Sequence, residues 1–129
     1  MLGAQAQVYF SPLSAAIENV RAGRLRALAV TTIERSQALP DLPAIVELVP
    51  GYDASQVYGI AAPKNTPPEI IERLNKEINA VLTSPAAKAR LADLGETPLG
   101  GSPAEFAKLI ADETERWGKV VKFSGAKVD

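Results

Sequence analysis

Residues 39–78 read LPDLPAIVELVPGYDASQVYGIAAPKNTPPEIIERLNKEI, and this stretch decides how the chain is organised. Its Pro and Gly residues divide it into a loop, a short helix at 44–48, a turn, a strand and a second helix, because Pro and Gly mark the ends of regular structure. The apolar run at 56–62 predicts a buried strand, and the capping box from Thr66 to Glu69 predicts a helix start. A strand followed by a capped helix is typical of α/β proteins.

The chain before this stretch shows the same alternation of strand and helix. Residues 5–10 favour a short strand, after which Ser11 is the predicted N-cap and Pro12 the predicted first residue of a helix. Gly23 is expected to end that helix. The apolar run at 25–31 then predicts a strand that is covered on both faces.

The chain after residue 78 is mainly helical. Ser84 is a predicted N-cap, and Ser102 with Glu105 forms a second capping box. Residues 96–99 predict a brief strand, and the last helix carries an apolar stripe made of Phe106, Ile110, Trp117 and Val121. The predicted order is β-α-β-α-β-α-α-β-α. The fold class is therefore expected to be α/β, with a short, largely parallel sheet flanked by helices.

The composition excludes most kinds of catalytic and metal site. The 129 residues contain no His and no Cys, which removes His general bases, thiol nucleophiles, disulfides and the usual zinc sites. Acids of the last helix such as Asp112 and Glu113 are neighbours, so they do not face a common substrate. We expect no catalytic residue, cofactor or metal; an enzyme that uses Lys or Tyr is the remaining catalytic alternative.

Charge and hydropathy argue against two further classes of protein. The 14 basic and 15 acidic residues give a net charge of -1, and 5% of residues are aromatic, so no nucleic acid partner is expected. No apolar run reaches the length of about 20 residues that spans a bilayer. The first residues, MLGAQAQVYFSP, do not resemble a secretory signal, so we expect a chain that is cytoplasmic if it is made as written.

Four polar or aromatic features have both a structural and a functional interpretation. The amides of residues 100–102 could bind an anion, but a plain helix start is favoured. Glu113 is expected to have a partner such as Arg or a backbone amide, and Trp117 is expected to pack in a core or an interface. Solvated helix-terminal charge is favoured over anion recognition for a cluster of three arginines, Arg21, Arg24 and Arg26.

Several strings, in order along the chain, resemble one family of receptors. They are VYFSPLSAAIENVRAGRLRALAVT at 8–31, LPDLPAIVEL at 39–48, VYGIAAPKNTPPEIIERLN at 57–75, LGETPLGGSPAEF at 94–106 and ERWGKVVK at 115–122. Together they resemble the late portion of the solute-binding receptors of tripartite tricarboxylate transporters, the Bug family of periplasmic carboxylate-binding proteins.

The resemblance implies part of a two-lobed fold like that of periplasmic binding proteins. Residues 1–56 would be the end of the second lobe and residues 57–129 would complete the first lobe, with the N-terminal half of the receptor absent. The implied protein is a truncated, non-enzymatic solute-binding protein located in the periplasm. Its implied partners are a small organic carboxylate and the membrane subunits of the transporter.

The resemblance also points to three ligand-binding residues, Ser11, Pro12 and Ala44. Ser11 stands where the family often has an acidic or amide residue, next to a helix start at the carboxyl end of a predicted strand, where α/β folds bind ligands. Ala44 stands where the family usually has Thr, and Val57 replaces a usual Trp.

Two consequences are expected for the chain by itself. Donors from one part of a two-lobed site do not enclose a carboxylate, so binding to the isolated chain should be weak or absent. Uncovered strand edges favour self-association, so a homo-oligomer is expected. The alternative function is a structural or interaction module that no longer serves transport.

Overall fold

A computed structural model of the chain describes residue 3 and residues 5–127. Its helices are α1 (Leu13–Arg21), α2 (Pro68–Thr83), α3 (Pro85–Asp93) and α4 (Pro103–Ser124), with a short 3-10 helix at Ile45–Glu47. Each lies close to a helix that the sequence predicts. The outer limits of the two predicted lobe segments, residues 1 and 129, lie outside the described residues.

The chain divides into two compact units. The first unit consists of Met1–Ala61 and Thr83–Pro98, so it contains α1, the 3-10 helix and α3. The second unit consists of Ala62–Leu82 and Leu99–Asp129, and it contains α4 and nearly all of α2. The prediction that lobes meet at residues 56 and 57 stays a prediction.

The predicted parallel sheet is not formed within residues 5–127. Its nearest equivalent there is an isolated parallel bridge between Val30 and Ala44, in which the Val30 N–H donates to Pro43 O (3.0 Å) and the Ile45 N–H donates to Val30 O (2.9 Å). The four predicted strands, at 5–10, 25–31, 56–62 and 96–99, have no ladder. An apolar run shows that a segment suits a sheet, but a strand exists only when a second strand pairs with it.

Two of the predicted helix starts are wrong, because Pro shifts them. The N-cap of α1 is Pro12, whose ψ of 134° is not helical, and the Ser11 hydroxyl donates to Pro12 O (3.1 Å) instead of capping the helix. The Thr66 hydroxyl donates to Pro63 O (2.8 Å), and α2 begins only at Pro68. Residue 67 precedes this Pro and is therefore kept out of the helical region.

The other two predicted caps are confirmed. The Ser84 hydroxyl accepts the Ala87 N–H (3.3 Å) at the start of α3. At the start of α4, the Ser102 hydroxyl accepts the Glu105 N–H (3.2 Å) and the Glu105 carboxylate accepts the Ser102 N–H (2.7 Å). These contacts use groups within three residues of each other, which is why sequence alone predicts them.

The described residues have a small core. Its fully covered side chains are those of Ile17, on the inner face of α1, and Ala44. The apolar stripe predicted on α4 is largely exposed, since Ile110, Trp117 and Val121 all lie at the surface. Residues 25–31 and 56–62, predicted as buried strands, are also mainly partly or fully exposed.

Candidate functional site

Ser11 and Pro12 form the junction between the N-terminal segment and α1. Both are partly exposed. Pro12 O accepts the Ala15 N–H (3.1 Å) and the Ser11 hydroxyl (3.1 Å), which closes the first turn of the helix. The first N–H groups of a helix have no partner four residues earlier, so this junction combines a hydroxyl with the positive end of a helix dipole.

Ala44 occupies a different position in the same unit. Its side chain is 1% exposed, and its N–H donates to Glu47 Oε1 (2.8 Å). Among the described residues, neither Ser11 nor Pro12 shares a hydrogen bond with Ala44. Ala44 therefore offers no free side-chain group to a ligand in this conformation, and its place in a ligand site stays a prediction.

An ion pair holds the loop that carries Ala44. The Arg35 guanidinium binds the Glu47 carboxylate in a bidentate way, with Nε 2.8 Å from Oε1 and Nη2 2.6 Å from Oε2. Arg35 first, and the Ala44 N–H second, stabilise the charged carboxylate and lower the pKa of Glu47 to about 2. The Arg35–Glu47 pair therefore connects the segment that follows Val30 to the segment that follows Ala44.

A second pair of hydrogen bonds holds Thr31, the residue that follows Val30. The Thr31 carbonyl accepts the Ala54 N–H (3.0 Å), and the Thr31 hydroxyl donates to Ala54 O (3.2 Å). Both the N–H and the C=O of Ala54 are thus hydrogen-bonded to Thr31. This contact fixes the chain just before residues 56–61.

The Gly100–Gly101 loop is a helix start, as the sequence analysis favoured. The Gly101 N–H donates to Asn79 Oδ1 (2.9 Å), and Gly101 O accepts from Asn75 Nδ2 (2.8 Å) and Asn79 Nδ2 (2.9 Å). Because the Gly101 N–H donates to Asn79 and the Ser102 N–H donates to Glu105, two of the three amides that could hold an anion are already used by the protein.

Glu113 has the partner that the sequence analysis expected. Its Oε2 accepts Arg116 Nη2 (2.6 Å) and the Trp117 indole N–H (2.9 Å), and the guanidinium carbon lies 5.3 Å from the centre of the Trp117 ring. The cluster is local to α4, with spacings of three and four residues. It stabilises one face of the helix.

Arg21, one member of the arginine cluster, also has a structural role. Arg21 lies 3.1 Å from Glu18 and 3.1 Å from Asp93, which joins α1 to the end of α3. Within residues 5–127, no group of acidic residues could hold a metal ion. Over the same residues, no helix is long and apolar enough to cross a membrane.

Two contacts were not predicted from the sequence. The Arg35–Glu47 pair joins residues 12 apart and has no local pattern, although Glu47 lies three residues after Ala44 as in a capping box. The clamp on Gly101 comes from Asn75 and Asn79, whose spacing of four residues places both on one side of α2.

Comparison with known proteins decides the family. The sequence model described as the tripartite tricarboxylate transporter family receptor matches residues 1–126. The chain belongs to this receptor family. The resemblance found in the sequence strings is thereby confirmed.

Individual members of the receptor family are similar over most of this chain. Protein BugT of Bordetella pertussis (strain Tohama I) is 39% identical over 129 residues, which are 99% of this chain and 40% of BugT. Rpa4515 of R. palustris, solved with adipate, has a TM-score of 0.83 and 39% identity, covering 88% of this chain and 38% of that protein. A structure described as a periplasmic transporter has a TM-score of 0.91 and 32% identity, covering 99% of this chain and 43% of that protein.

These matches define the fold of the chain as part of a larger one. The chain spans about 40% of the length of the relatives it matches. At a TM-score of 0.91 over 99% of the chain, it follows the path of one portion of a periplasmic protein. The absence of a sheet in the described residues is thus compatible with a partial receptor fold.

Proposed function

We propose that this chain is the C-terminal part of a solute-binding receptor for a small organic carboxylate, working in the periplasm with the membrane subunits of a tripartite tricarboxylate-type transporter. The family match over residues 1–126 is the observation that carries the proposal. The similarity to an R. palustris protein solved with adipate supports a carboxylate as ligand. The role is binding and transport, without catalysis.

Residues 1–56 are proposed to belong to the second lobe of the receptor and residues 57–129 to the first. A ligand clamped between lobes needs donors from both, and the matched relatives are more than twice as long as this chain. The isolated chain is therefore expected to bind carboxylates weakly or not at all. Binding would require the portion of the receptor that this chain does not span.

Ser11 and Pro12 are the proposed ligand contacts in this chain. The Ser11 hydroxyl is partly exposed and makes one 3.1 Å hydrogen bond, so its oxygen keeps capacity to bind a ligand or a bridging water. The first turn of α1 adds N–H groups and a favourable dipole for a carboxylate. Ala44 is proposed to act through the position of its loop, because its side chain is covered.

A chimera tests this proposal. Residues 1–126 of this chain replace the matched part of Rpa4515, and the chimera and the isolated chain are titrated with di- and tricarboxylates in a thermal-shift assay. Ligand at about 100 times its dissociation constant adds about 2.7 kcal/mol of stability, which raises the melting temperature of the chimera by a few degrees. A cooperatively folded chimera that no carboxylate stabilises would contradict the proposal.

Ser11→Ala in the chimera tests the contact itself. We expect it to weaken carboxylate binding by about tenfold, the effect of one lost hydrogen bond to a charged group. Ser124→Ala is the matched control, since the Ser124 hydroxyl also donates to a backbone carbonyl, that of Val121 (3.0 Å), and lies at the end of α4, outside the proposed contacts. Equal affinities of the two variants would remove Ser11 from the site.

A second candidate function, a self-associating interaction module, is favoured by the exposed apolar stripe of α4. Ile110, Trp117 and Val121 lie on one face of the helix and are between 40% and 51% exposed. We propose that this face pairs with a second copy of the chain when the rest of a receptor does not cover it.

Light scattering at increasing concentration tests the self-association. Val121→Lys should abolish a dimer because it places a charge in the stripe, whereas Phe123→Lys should retain it. Phe123 is 96% exposed and lies on the opposite side of α4, so it controls for the added charge. A wild-type chain that stays monomeric at high concentration would contradict this candidate function.

A further inference from the structure

Gly95, in the turn that follows α3, lies against two separate parts of the candidate site. A Cβ built on Gly95 would collide with the side chain of Leu13, the residue directly after Pro12. The same Cβ would lie 3.3 Å from Ser36 Oγ, in the loop that leads to Ala44. Among the described residues, Pro12 and Ala44 share no hydrogen bond, so Gly95 provides a packing contact that is common to both parts.

The backbone of this turn is held by its own hydrogen bonds and by α1. The Gly95 N–H donates to Ala92 O (3.0 Å), and the φ of Gly95 is 76°, which a residue with a Cβ rarely adopts. Arg21, the last residue of α1, donates to Asp93 O (3.0 Å) and pairs with the Asp93 carboxylate (3.1 Å). The turn is therefore held by the last residue of α1, while Gly95 contacts the first.

Ser36 is connected to Ala44 by a short segment that is closed by turns. Ser36 O accepts the Leu39 N–H (3.2 Å), and Leu39 O accepts the Leu42 N–H (3.1 Å). Ala44 follows Leu42 by two residues, and its carbonyl accepts the Glu47 N–H (3.0 Å). Because hydrogen-bonded turns leave little freedom between these residues, a shift of Ser36 is expected to shift Ala44 as well.

We infer that Gly95 is a positioning residue of the carboxylate site. Because Gly95 has no side chain, the start of α1 can approach the loop that carries Ala44, and this approach sets the distance between the two sets of proposed contacts. The inference rests on the proposed function, since that function makes Ser11, Pro12 and Ala44 parts of one site. Gly95 acts through Leu13 and Ser36 and is not itself a ligand contact.

Gly95→Ala in the Rpa4515 chimera tests the inference, with Gly23→Ala as the matched control. Both glycines have a positive φ (76° and 68°), but a Cβ on Gly23 meets nothing within 4 Å, so only Gly95→Ala adds a collision. Calorimetric titration with adipate, and then with other di- and tricarboxylates, measures the affinity of each folded chimera. We expect about tenfold weaker binding for Gly95→Ala and wild-type binding for Gly23→Ala.

Leu13→Ala separates a positioning role from a purely structural one. This substitution removes the Leu13 atoms with which the new Cβ would collide. In the Leu13→Ala background, Gly95→Ala should therefore weaken carboxylate binding by less than about threefold. A purely structural role would change the stability of a folded chimera without changing its affinity for carboxylates.

A second pair of variants keeps the test decisive if Gly95→Ala does not fold. Arg21 and Arg90 both pair with Asp93, at 3.1 Å and 3.4 Å, but only Arg21 connects Asp93 to α1. Both arginines are exposed, so both Gln variants are expected to fold. We expect Arg21→Gln to weaken carboxylate binding by about threefold and Arg90→Gln to leave it unchanged.

The outcomes separate this inference from the proposed function. If the wild-type chimera binds a carboxylate, equal affinities of Gly95→Ala and Gly23→Ala would overturn the inference alone. An equal loss of affinity from Gly95→Ala with and without the Leu13 side chain would also overturn it. If Gly95→Ala does not fold, equal affinities of Arg21→Gln and Arg90→Gln would overturn it instead. A folded wild-type chimera that binds no carboxylate would overturn the inference and the proposed function together.

Discussion

Gly95 is the residue at which the first unit leaves no room for a side chain. Its φ is 76°, and a Cβ built on it would collide with Leu13 Cδ2 and lie 2.9 Å from Leu13 Cγ. Gly23 shares the positive φ, 68°, but a Cβ there meets nothing within 4 Å. The two glycines therefore separate the cost of the backbone conformation from the cost of the collision.

We predict that Gly95→Ala lowers the free energy of unfolding by about 2 kcal/mol or more, and that Gly23→Ala lowers it by about 1 kcal/mol. Urea denaturation of the two variants and the wild type measures both values. Equal losses of unfolding free energy in the two variants would show that Leu13 moves aside without cost. Such a result would contradict close packing of α1 on the turn after α3.

Glu47 makes the stability of the first unit depend on pH in the acid range. Its pKa is lowered from 4.5 to about 2, mainly by Arg35, so the contribution of Glu47 is complete above pH 4.5 and is lost as pH falls toward 2. We predict that Glu47→Gln makes the decrease in stability between about pH 5 and about pH 2 shallower than in the wild type.

Glu34→Gln is the control for the pH experiment. Glu34 is exposed in the same loop, and among the described residues its carboxylate forms no ion pair. Glu34→Gln should therefore keep the wild-type slope of the free energy of unfolding against pH. Urea denaturation at each pH measures this free energy. If Glu47→Gln also keeps that slope, the Arg35–Glu47 pair does not contribute to folding in solution.

At the scale of elements, two asparagines of α2 hold the start of α4 in the second unit. Asn79 both donates to Gly101 O and accepts the Gly101 N–H, whereas Asn75 makes one contact, to Gly101 O. We predict that Asn79→Ala lowers the free energy of unfolding by about 1–2 kcal/mol and that Asn75→Ala lowers it by less.

Amide exchange in the first turn of α4 checks this order directly. It should be faster in Asn79→Ala than in Asn75→Ala, and slowest in the wild type, because the clamp limits local opening. Equal exchange rates in the wild type and both variants would mean that the loop before α4 is held mainly by the Ser102–Glu105 capping box.

The elements also show which parts of the fold sequence can predict. The four helices follow from caps and apolar spacings within a few residues, as Ser84 and Ser102 show, because helix hydrogen bonds are local. The exact starts at Ser11 and Thr66 were missed because a neighbouring Pro decides them. The strand predicted at 56–62 is not formed among the described residues. Local sequence does not show whether a strand has a partner, since pairing depends on chain that is distant in sequence.

The candidate site was less predictable than the helices. Ser11 and Pro12 are proposed from the family resemblance and their place before α1, but the contacts that fix the loop of Ala44 involve residues far apart in sequence. Arg35 carries no signal in the sequence that points to Glu47. The side chain of Ala44 is covered, so its proposed role depends on the position of its loop.

For the whole molecule, we propose that the chain is one part of a carboxylate receptor and that it does not form the binding site by itself. Two observations support this proposal: the family match over residues 1–126, and the fact that the chain covers about 40% of the length of its relatives. It predicts that binding appears only when the remaining portion is supplied.

The decisive experiment is calorimetric titration of adipate, and then of other di- and tricarboxylates, into the Rpa4515 chimera and into the isolated chain. We expect one carboxylate site per chimera and no measurable heat of binding for the isolated chain. A folded chimera that binds neither adipate nor any other di- or tricarboxylate, while Rpa4515 prepared in the same way binds adipate, would contradict the proposal.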